Sequence, residues 1–169
     1  GVRVEAAGRR LYLTGLGAGG LLEPLAPLEL RHSALGNWLV MGLAGIYDFS
    51  TSIRSPEFTA PRQMSQFLAF LAQFGIEVTS DPAGRQPLLL RGPKLGLPVD
   101  LMLPPDVPAM KAASLLAALG LPGTSSFIEA KPGWDHAERM LAQFGAALSL
   151  QPAATGKRIE VAGLADLKA

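Results

Sequence analysis

Apolar residues along this chain follow two spacings, one typical of helices and one typical of strands. Apolar residues three or four positions apart predict helices over residues 35–46, 64–74 and 110–119 and in a stretch that ends at Phe144. Short alternating or continuous apolar runs between turn residues predict strands at 2–4, 11–13, 50–53, 76–79, 88–90, 124–128, 147–150 and 159–161. The sequence therefore predicts an α/β or α+β fold.

One pentapeptide occurs twice, which indicates an internal repeat. Leu-Ala-Gln-Phe-Gly stands at residues 71–75 and again at 141–145, and each copy ends a helical pattern with its glycine in the C′ position. Each copy lies within the same series of predicted elements, which is helix–strand–helix–strand–strand. The strands at 2–4 and 11–13 match the last two strands of a further, truncated unit. We expect the apolar helices to lie inside and the strands to surround them.

Composition and charge exclude several classes of function. The 169 residues carry 15 Lys and Arg against 14 Asp and Glu, without the clustered basic face that nucleic acid or anionic lipid would need. No apolar stretch reaches the roughly 18 residues of a membrane helix. The absence of cysteine excludes disulfides, thiolate zinc sites and a cysteine nucleophile, and it fits a reducing compartment, so a cytoplasmic location is expected. No cofactor and no metal is predicted.

A glycine-rich stretch at Gly15–Gly20 fits the Gly-x-Gly-x-x-Gly pattern of dinucleotide-binding turns. That pattern requires a helix directly afterwards, but Pro24 and Pro27 interrupt the residues that follow. A turn rich in glycine is therefore the better interpretation of this stretch.

The sequence Asp135-His136-Ala137-Glu138 contains residue types found in metal and acid–base sites. We interpret it instead as a capping box at a helix start, with Asp135 at the N-cap and Glu138 three positions later. The other histidine, His32, precedes an apolar helix and is expected to be a loop or capping residue rather than a ligand.

Four sequence blocks resemble one enzyme family, and they lie at residues 17–24, 41–49, 89–94 and 135–141. The last block is the most specific, because the family's version reads Asp-His-Thr-Glu-Arg/Lys-Met-Leu where this chain has Asp-His-Ala-Glu-Arg-Met-Leu. With these blocks the chain resembles the 5-enolpyruvylshikimate-3-phosphate (EPSP) synthase family of the glyphosate-insensitive, class II type. The resemblance implies an inside-out α/β barrel of repeated βαβαββ units and the carboxyvinyl transfer of the shikimate pathway.

The resemblance covers a single domain of the family fold. Residues 1–30 match the tail of a first unit and a connection, residues 31–93 match the second unit, and residues 94–169 match the third unit. In the family each of two domains holds three units, the active site lies between the domains, and the second domain carries the acidic catalytic residues. That domain has no counterpart here, so no catalytic residue is predicted.

The resemblance also implies where substrate anions would bind, namely at helix N-termini completed by hydroxyl, amide and guanidinium side chains. Other residue types occupy these positions here, which are Leu35, Trp38, Val107, Pro108, Ala109, Gly133 and Trp134. Arg62 remains and matches the arginine that holds phosphoenolpyruvate, and Lys111 also remains. Since each lost donor costs about 1–3 kcal/mol, the sequence predicts a retained scaffold with a degenerate substrate site.

The leading hypothesis is therefore a catalytically inactive domain that serves as a scaffold or protein-interaction module. Two units and a tail should leave an apolar helix face uncovered, so we expect a homodimer or a covering domain or partner protein. The alternative is one half of a divergent carboxyvinyl transferase, completed by another domain or chain, with Arg62 and Lys111 holding phosphoenolpyruvate.

A third hypothesis is a small-molecule site with an apolar cleft bounded by Leu35, Trp38, Val107 and Trp134. The two tryptophans are expected to fill the former substrate pocket as core residues, although each is also suited to anchor a partner.

Overall fold

The computed structural model describes residues 2–17, 19–30, 33–55, 61–80, 87–105 and 107–168. The helices are α1 (Ala34–Ala44), α2 (Pro61–Leu71), α3 (Pro108–Leu119) and α4 (His136–Gln143), with a 3₁₀ turn at Ala72–Phe74. The strands are β1 (Arg3–Ala7), β2 (Arg10–Thr14), β3 (Leu28–Glu29), β4 (Ser50–Arg54), β5 (Glu77–Thr79), β6 (Leu88–Arg91), β7 (Asp100–Met102), β8 (Thr124–Glu129), β9 (Leu148–Pro152) and β10 (Lys157–Ala162).

The two copies of the repeated pentapeptide end their helices in the predicted way. Gly75 has a φ angle of 76° and Gly145 a φ angle of 82°, which is the left-handed conformation that glycine adopts without a Cβ penalty. The backbone N–H groups of these two glycines donate to Ala72 and Ala142, at 3.0 Å in both copies. The identical five residues therefore form the same helix terminus twice.

Each unit forms one four-stranded sheet, and the two sheets have equivalent strand orders. The second unit has the order β3-β4-β6-β5 and the third unit β7-β8-β10-β9. In each sheet the opening strand pairs in parallel with the next strand, and the remaining pairs are antiparallel. The residue pattern missed both opening strands, β3 and β7, and β3 lies before the predicted start of the second unit at residue 31. With these strands each unit is βαβαββ.

The core lies between the two sheets and contains the helices α1 and α3. Large buried side chains come from both units; they include Met41, Ile53, Phe67, Leu90, Met110, Phe127 and Ile159. The two helices can approach closely because Gly42 has no side chain. A Cβ atom at this position would lie only 2.5 Å from the carbonyl oxygen of Ala113. The predicted arrangement, with apolar helices inside and strands around them, is confirmed.

The strands β1 and β2 form a separate antiparallel hairpin, with Val4 opposite Leu13 and Ala6 opposite Leu11. All ten of its residues are exposed. Since paired residues share a face, one face of the hairpin is apolar, and the other carries residues such as Glu5 and Tyr12. The glycine-rich stretch follows this hairpin, and no helix follows it before α1 in the described residues, so the turn interpretation is confirmed.

Candidate functional site

A small cavity lies beside the N-terminus of α3, where the resemblance places a substrate anion. Its volume is about 190 Å³, below the roughly 300–1,000 Å³ that is usual for ligand pockets. Its lining residues come from the loop before α3, from α3 itself, from the end of β8 and from the loop after it; they are Leu103, Pro104, Pro105, Val107, Lys111, Glu129, Ala130, Lys131, Pro132 and Gly133. Val107, Lys111 and Gly133 thus line one cavity.

Lys111 is only 4% exposed and lies between two carboxylates. Its Nζ donates to Glu129 Oε1 at 2.8 Å and to Glu138 Oε1 at 2.9 Å. Lys157 completes the group, with its Nζ 3.0 Å from Glu129 Oε2 and 3.0 Å from Glu138 Oε1. We call these four residues the charge cluster. Because two ammonium groups face two carboxylates, the cluster carries no net positive charge for a substrate anion.

The charge cluster shifts the titration of two of its members. Burial raises the pKa of the Glu129 carboxyl, but hydrogen bonds and charges from Lys111 and Lys157 outweigh burial and hold the pKa below its ordinary value. For Lys157 burial lowers the pKa, while Glu138 and Glu129 outweigh burial and hold the pKa above its ordinary value. Both shifts favour the charged forms of Glu129 and Lys157.

The N-terminus of α3 itself offers little to an anion. Val107 is the N-cap residue, and its apolar side chain makes no capping hydrogen bond. Pro108 occupies the first helical position and has no backbone N–H to donate. Ala109 follows in the same turn, and its methyl side chain has no hydrogen-bonding group. This helix terminus therefore lacks one backbone donor and the polar side chains that would complete an anion site.

The N-terminus of α1 is capped by the chain itself. Ser33 Oγ accepts a hydrogen bond from the backbone N–H of Gly36 at 2.9 Å. Leu35 is exposed in the first turn. Trp38 is half-buried and meets Phe67 edge-on, with ring centroids 4.2 Å apart, so the prediction that Trp38 is a packing residue agrees with its contacts.

Three further predictions have different outcomes. Trp134 is 71% exposed beside His136, so the prediction that it fills the core is wrong. Asp135 is the N-cap residue of α4 and Glu138 lies in the first turn, as predicted, but the capping-box hydrogen bonds are absent, because Asp135 makes no side-chain cap and Glu138 is buried against two lysines. Arg62 lies in α2, but its side chain is outside the described residues, as is His32.

The positions predicted to bound one apolar cleft do not lie around one cavity. Leu35, Trp38 and Trp134 are not among the residues that line the cavity at α3. Within the described ranges no group of three or more His, Cys, Asp or Glu residues could hold a metal ion, and no helix is long and apolar enough to cross a membrane.

The sequence pattern missed three members of the charge cluster, namely Glu129, Glu138 and Lys157. One of them could have been found, because Glu129 continues the inward alternation of Ser125 and Phe127 along β8. A glutamate at a buried strand position requires a cation, and this would have directed attention to Lys111.

The fold and the site define the chain as an α/β domain of βαβαββ units that carries a buried charge cluster beside the N-terminus of α3. It is 39% identical over 158 residues to the 3-phosphoshikimate 1-carboxyvinyltransferase of Novosphingobium aromaticivorans, covering 93% of this chain and 36% of that protein. It is 36% identical over 170 residues to the enzyme of the same name from a Chelativorans species, covering 99% of this chain and 38% of that protein. A scan against protein-family models finds no match.

Solved structures agree with these sequence relationships. A structure of EPSP synthase from Acinetobacter baumannii matches with a TM-score of 0.82 and 25% identity, over 99% of this chain and 37% of that one. The chain is therefore homologous to EPSP synthases, and its inside-out α/β architecture is theirs. It spans little more than a third of the length of these relatives, as a single domain.

Proposed function

We propose that this chain is a non-catalytic domain of the EPSP synthase fold that acts as a protein-interaction module. The observation that carries the proposal is the state of Lys111, the one retained cation with a described side chain. Its ammonium group is buried and bound to Glu129 and Glu138 at 2.8 and 2.9 Å. Freeing it for a substrate would leave two buried carboxylates with one fewer counter-ion, which costs several kcal/mol.

The surroundings of Lys111 support the same proposal. A substrate phosphate needs several converging charge-assisted hydrogen bonds, and Val107, Pro108 and Ala109 supply no side-chain donor at the α3 terminus. At α1 the backbone N–H of Gly36 already donates to Ser33. Neither helix terminus offers the set of donors that an anionic substrate requires.

Thermal unfolding with millimolar shikimate-3-phosphate and phosphoenolpyruvate, separately and together, tests the proposal. A ligand at 100 times its Kd would add about 2.7 kcal/mol, which for a chain of this size raises Tm by about 5–10 °C. We expect no such rise. A comparison variant places hydroxyl, guanidinium and amide side chains at these helix termini through Leu35→Thr, Trp38→Arg, Val107→Ser and Ala109→Gln. A rise in the unaltered chain would overturn the proposal.

A second candidate is one part of a carboxyvinyl transferase that is completed by another chain. The 36–39% identity to curated enzymes over 93–99% of this chain favours it. In this case the active site would form on assembly, with Arg62 contributing to the phosphoenolpyruvate site. The test is phosphate release from phosphoenolpyruvate and shikimate-3-phosphate when the chain is mixed with the remaining part of the Novosphingobium aromaticivorans relative. Turnover that depends on both chains would establish this candidate.

A further inference from the structure

The segment that joins β8 to α4, residues 130–135, lies on the surface of the protein. All six of its residues are exposed, and so is His136, the first residue of α4. Trp134 is 71% exposed, and its ring lies beside His136 with ring centroids 5.9 Å apart. A segment without a buried side chain gains little from packing, so it belongs to the parts of a fold that open most easily. We call residues 130–135 the strap.

A single hydrogen bond ties the middle of the strap to the interior. The backbone N–H of Gly133 donates to Glu129 Oε1 at 3.1 Å. In the part of the chain that the structure describes, no further hydrogen bond or ion pair joins residues 131–134 to the rest of the protein. Glu129 itself is 7% exposed at the end of β8, so the acceptor is held by the sheet. The position of the strap therefore depends on this hydrogen bond.

The hydrogen bond requires a close approach that glycine allows. A Cβ atom at Gly133 would lie 3.0 Å from Glu129 Oε1, which is shorter than an ordinary van der Waals contact. Because Gly133 has no side chain, the backbone of the strap can lie directly against the carboxylate. Any larger residue at this position would push the carboxylate and the strap apart.

The charge cluster fixes the same carboxylate. Glu129 Oε1 also accepts a hydrogen bond from Lys111 Nζ at 2.8 Å, and Glu129 Oε2 lies 3.0 Å from Lys157 Nζ. A lysine of α3 and a lysine of β10 thus hold Glu129 in place while it accepts from the strap. The buried ionic contacts of the third unit therefore set the position of an exposed segment.

The strap forms part of the wall of the cavity at α3. The cavity is lined by strap residues and by residues of the loop before α3; they are Ala130, Lys131, Pro132 and Gly133, together with Leu103, Pro104, Pro105 and Val107. Leu103 is only 4% exposed although it lines this cavity. A movement of the strap away from α3 would widen the cavity and bring Leu103 into contact with solvent.

We propose that the strap is a movable wall that opens and closes the cavity at α3, and that the hydrogen bond from Gly133 to Glu129 is the latch that keeps it closed. With the strap closed the cavity holds about 190 Å³. With the strap open, solutes reach the part of the cavity that Leu103 lines, as in other proteins whose surface loops control access to a site. This device does not depend on what the domain binds, so it stands apart from the proposed function.

The test uses introduced thiols, because the sequence contains no cysteine that would interfere. Leu103→Cys places a thiol on the cavity wall. Val161→Cys places one in β10, where the side chain is 0% exposed and does not line the cavity, so it reports unfolding of the whole chain. The measurements are the rate at which each thiol reacts with an aromatic disulfide reagent and the hydrogen exchange of the Gly133 amide.

Two double variants, each combined with the introduced thiols, provide a matched pair. Glu129→Met with Lys157→Met removes the acceptor of the latch, whereas Glu138→Met with Lys157→Met keeps it. Each double variant leaves Lys111 with one carboxylate, so the buried charge is balanced in both. We expect the variant without the latch to react about tenfold faster at position 103 and to exchange the Gly133 amide about tenfold faster. The rates at position 161 should agree within about twofold.

Two results would overturn the proposal. Equal exchange of the Gly133 amide in the two double variants would show that the hydrogen bond does not hold the strap. Faster exchange without faster reaction at position 103 would show that the strap does not control access to the cavity.

Gly133→Ala covers the case in which a double variant does not fold. It keeps all four members of the charge cluster, but its Cβ atom would push against Glu129 Oε1 and lengthen the latch. We expect the reaction at position 103 to accelerate about threefold while the reaction at position 161 is unchanged. In that case an unchanged rate at position 103 would overturn the proposal.

Discussion

The second and third units share one architecture but use it differently at two equivalent places. In the second unit Asn37 of α1 donates to Ser55 Oγ at 2.6 Å, and in the third Lys111 of α3 donates to Glu129 at 2.8 Å. Each pair is buried, joins residues 18 positions apart and links the first helix of its unit to the end of the strand that follows, at Glu129 in β8 and at Ser55 directly after β4. A neutral pair and an ionic pair therefore fill the same structural position. The repeat preserves the position of a polar contact rather than its chemistry.

The second difference between the units concerns the burial of equivalent side chains rather than their chemistry. Phe74 and Phe144 stand in identical pentapeptides, yet Phe74 is 3% exposed against Phe127 of β8 and Phe144 is 45% exposed. Leu71 and Leu141 are buried in both copies, so only the phenylalanine changes from a core position in one unit to a surface position in the other. This comparison gives the largest predicted effect.

Phe74→Ala is expected to destabilise the chain by about 3–5 kcal/mol, because it removes a buried ring and leaves a cavity against Phe127. Phe144→Ala is expected to cost less than about 1 kcal/mol, because its ring is already in contact with solvent. Urea unfolding of both variants at one protein concentration measures the difference. Equal losses would show that Phe144 is covered in solution and would contradict the comparison.

The second prediction concerns the ionic and the neutral pair. Lys111→Met keeps the side chain's bulk but leaves Glu129 and Glu138 buried with Lys157 as their remaining described cation, so we expect a loss of about 3–5 kcal/mol. Asn37→Leu keeps a similar volume and removes one neutral hydrogen bond, with an expected loss of about 1 kcal/mol.

The control for this pair is a double variant, measured by urea unfolding as well. Adding Glu138→Gln to Lys111→Met removes one of the uncompensated carboxylates, so part of the lost stability should return. If the double variant were less stable than Lys111→Met, the cost of the lysine substitution would lie in packing rather than in buried charge, and the assignment of an ionic role would be wrong.

These two comparisons also show which features of the fold could be predicted from the sequence. The helices and their ends were predictable, because apolar spacing and a C′ glycine such as Gly75 are local properties. The strands β3 and β7 were missed, since two or three residues carry no detectable alternation and their pairing with β4 and β8 defines them. The exposure of Phe144 was beyond any local rule, because its pentapeptide is identical to that of Phe74.

The candidate site was predictable only in part for the same reason. The resemblance located the α3 terminus through Val107, Pro108 and Ala109, which are consecutive in sequence. The charge cluster instead joins residues of α3, β8, α4 and β10, so it exists only once the third unit has folded. The resemblance thus named Lys111 as a retained substrate-binding cation, while the carboxylates that neutralise it were not recognised as its partners.

The smallest expected effect is a difference in the pH dependence of stability. The pKa of Glu129 is lower in the folded chain than its ordinary value of 4.5, so its contribution is present above that value and is lost as pH falls through the folded pKa. The pKa of Lys157 is raised above 10.5, so its contribution is present below that value and is lost as pH rises through the folded pKa. The neutral pair of Asn37 and Ser55 has no titratable group and adds neither dependence.

Glu129→Gln tests the acid side of this comparison. We expect this variant to be less stable than the unaltered chain near neutral pH. Between about pH 5 and pH 3 it should lose less stability, because in the unaltered chain the unfolded state takes up a proton at Glu129 at a higher pH than the folded state does. Asn37→Leu should retain the acid dependence of the unaltered chain. Unfolding free energies at a series of pH values measure both slopes. If the unfolding free energy of Glu129→Gln fell with decreasing pH as steeply as that of the unaltered chain, the pKa of Glu129 would be the same in the folded and unfolded states. The charge cluster would then be solvated rather than a buried counterpart of the neutral pair.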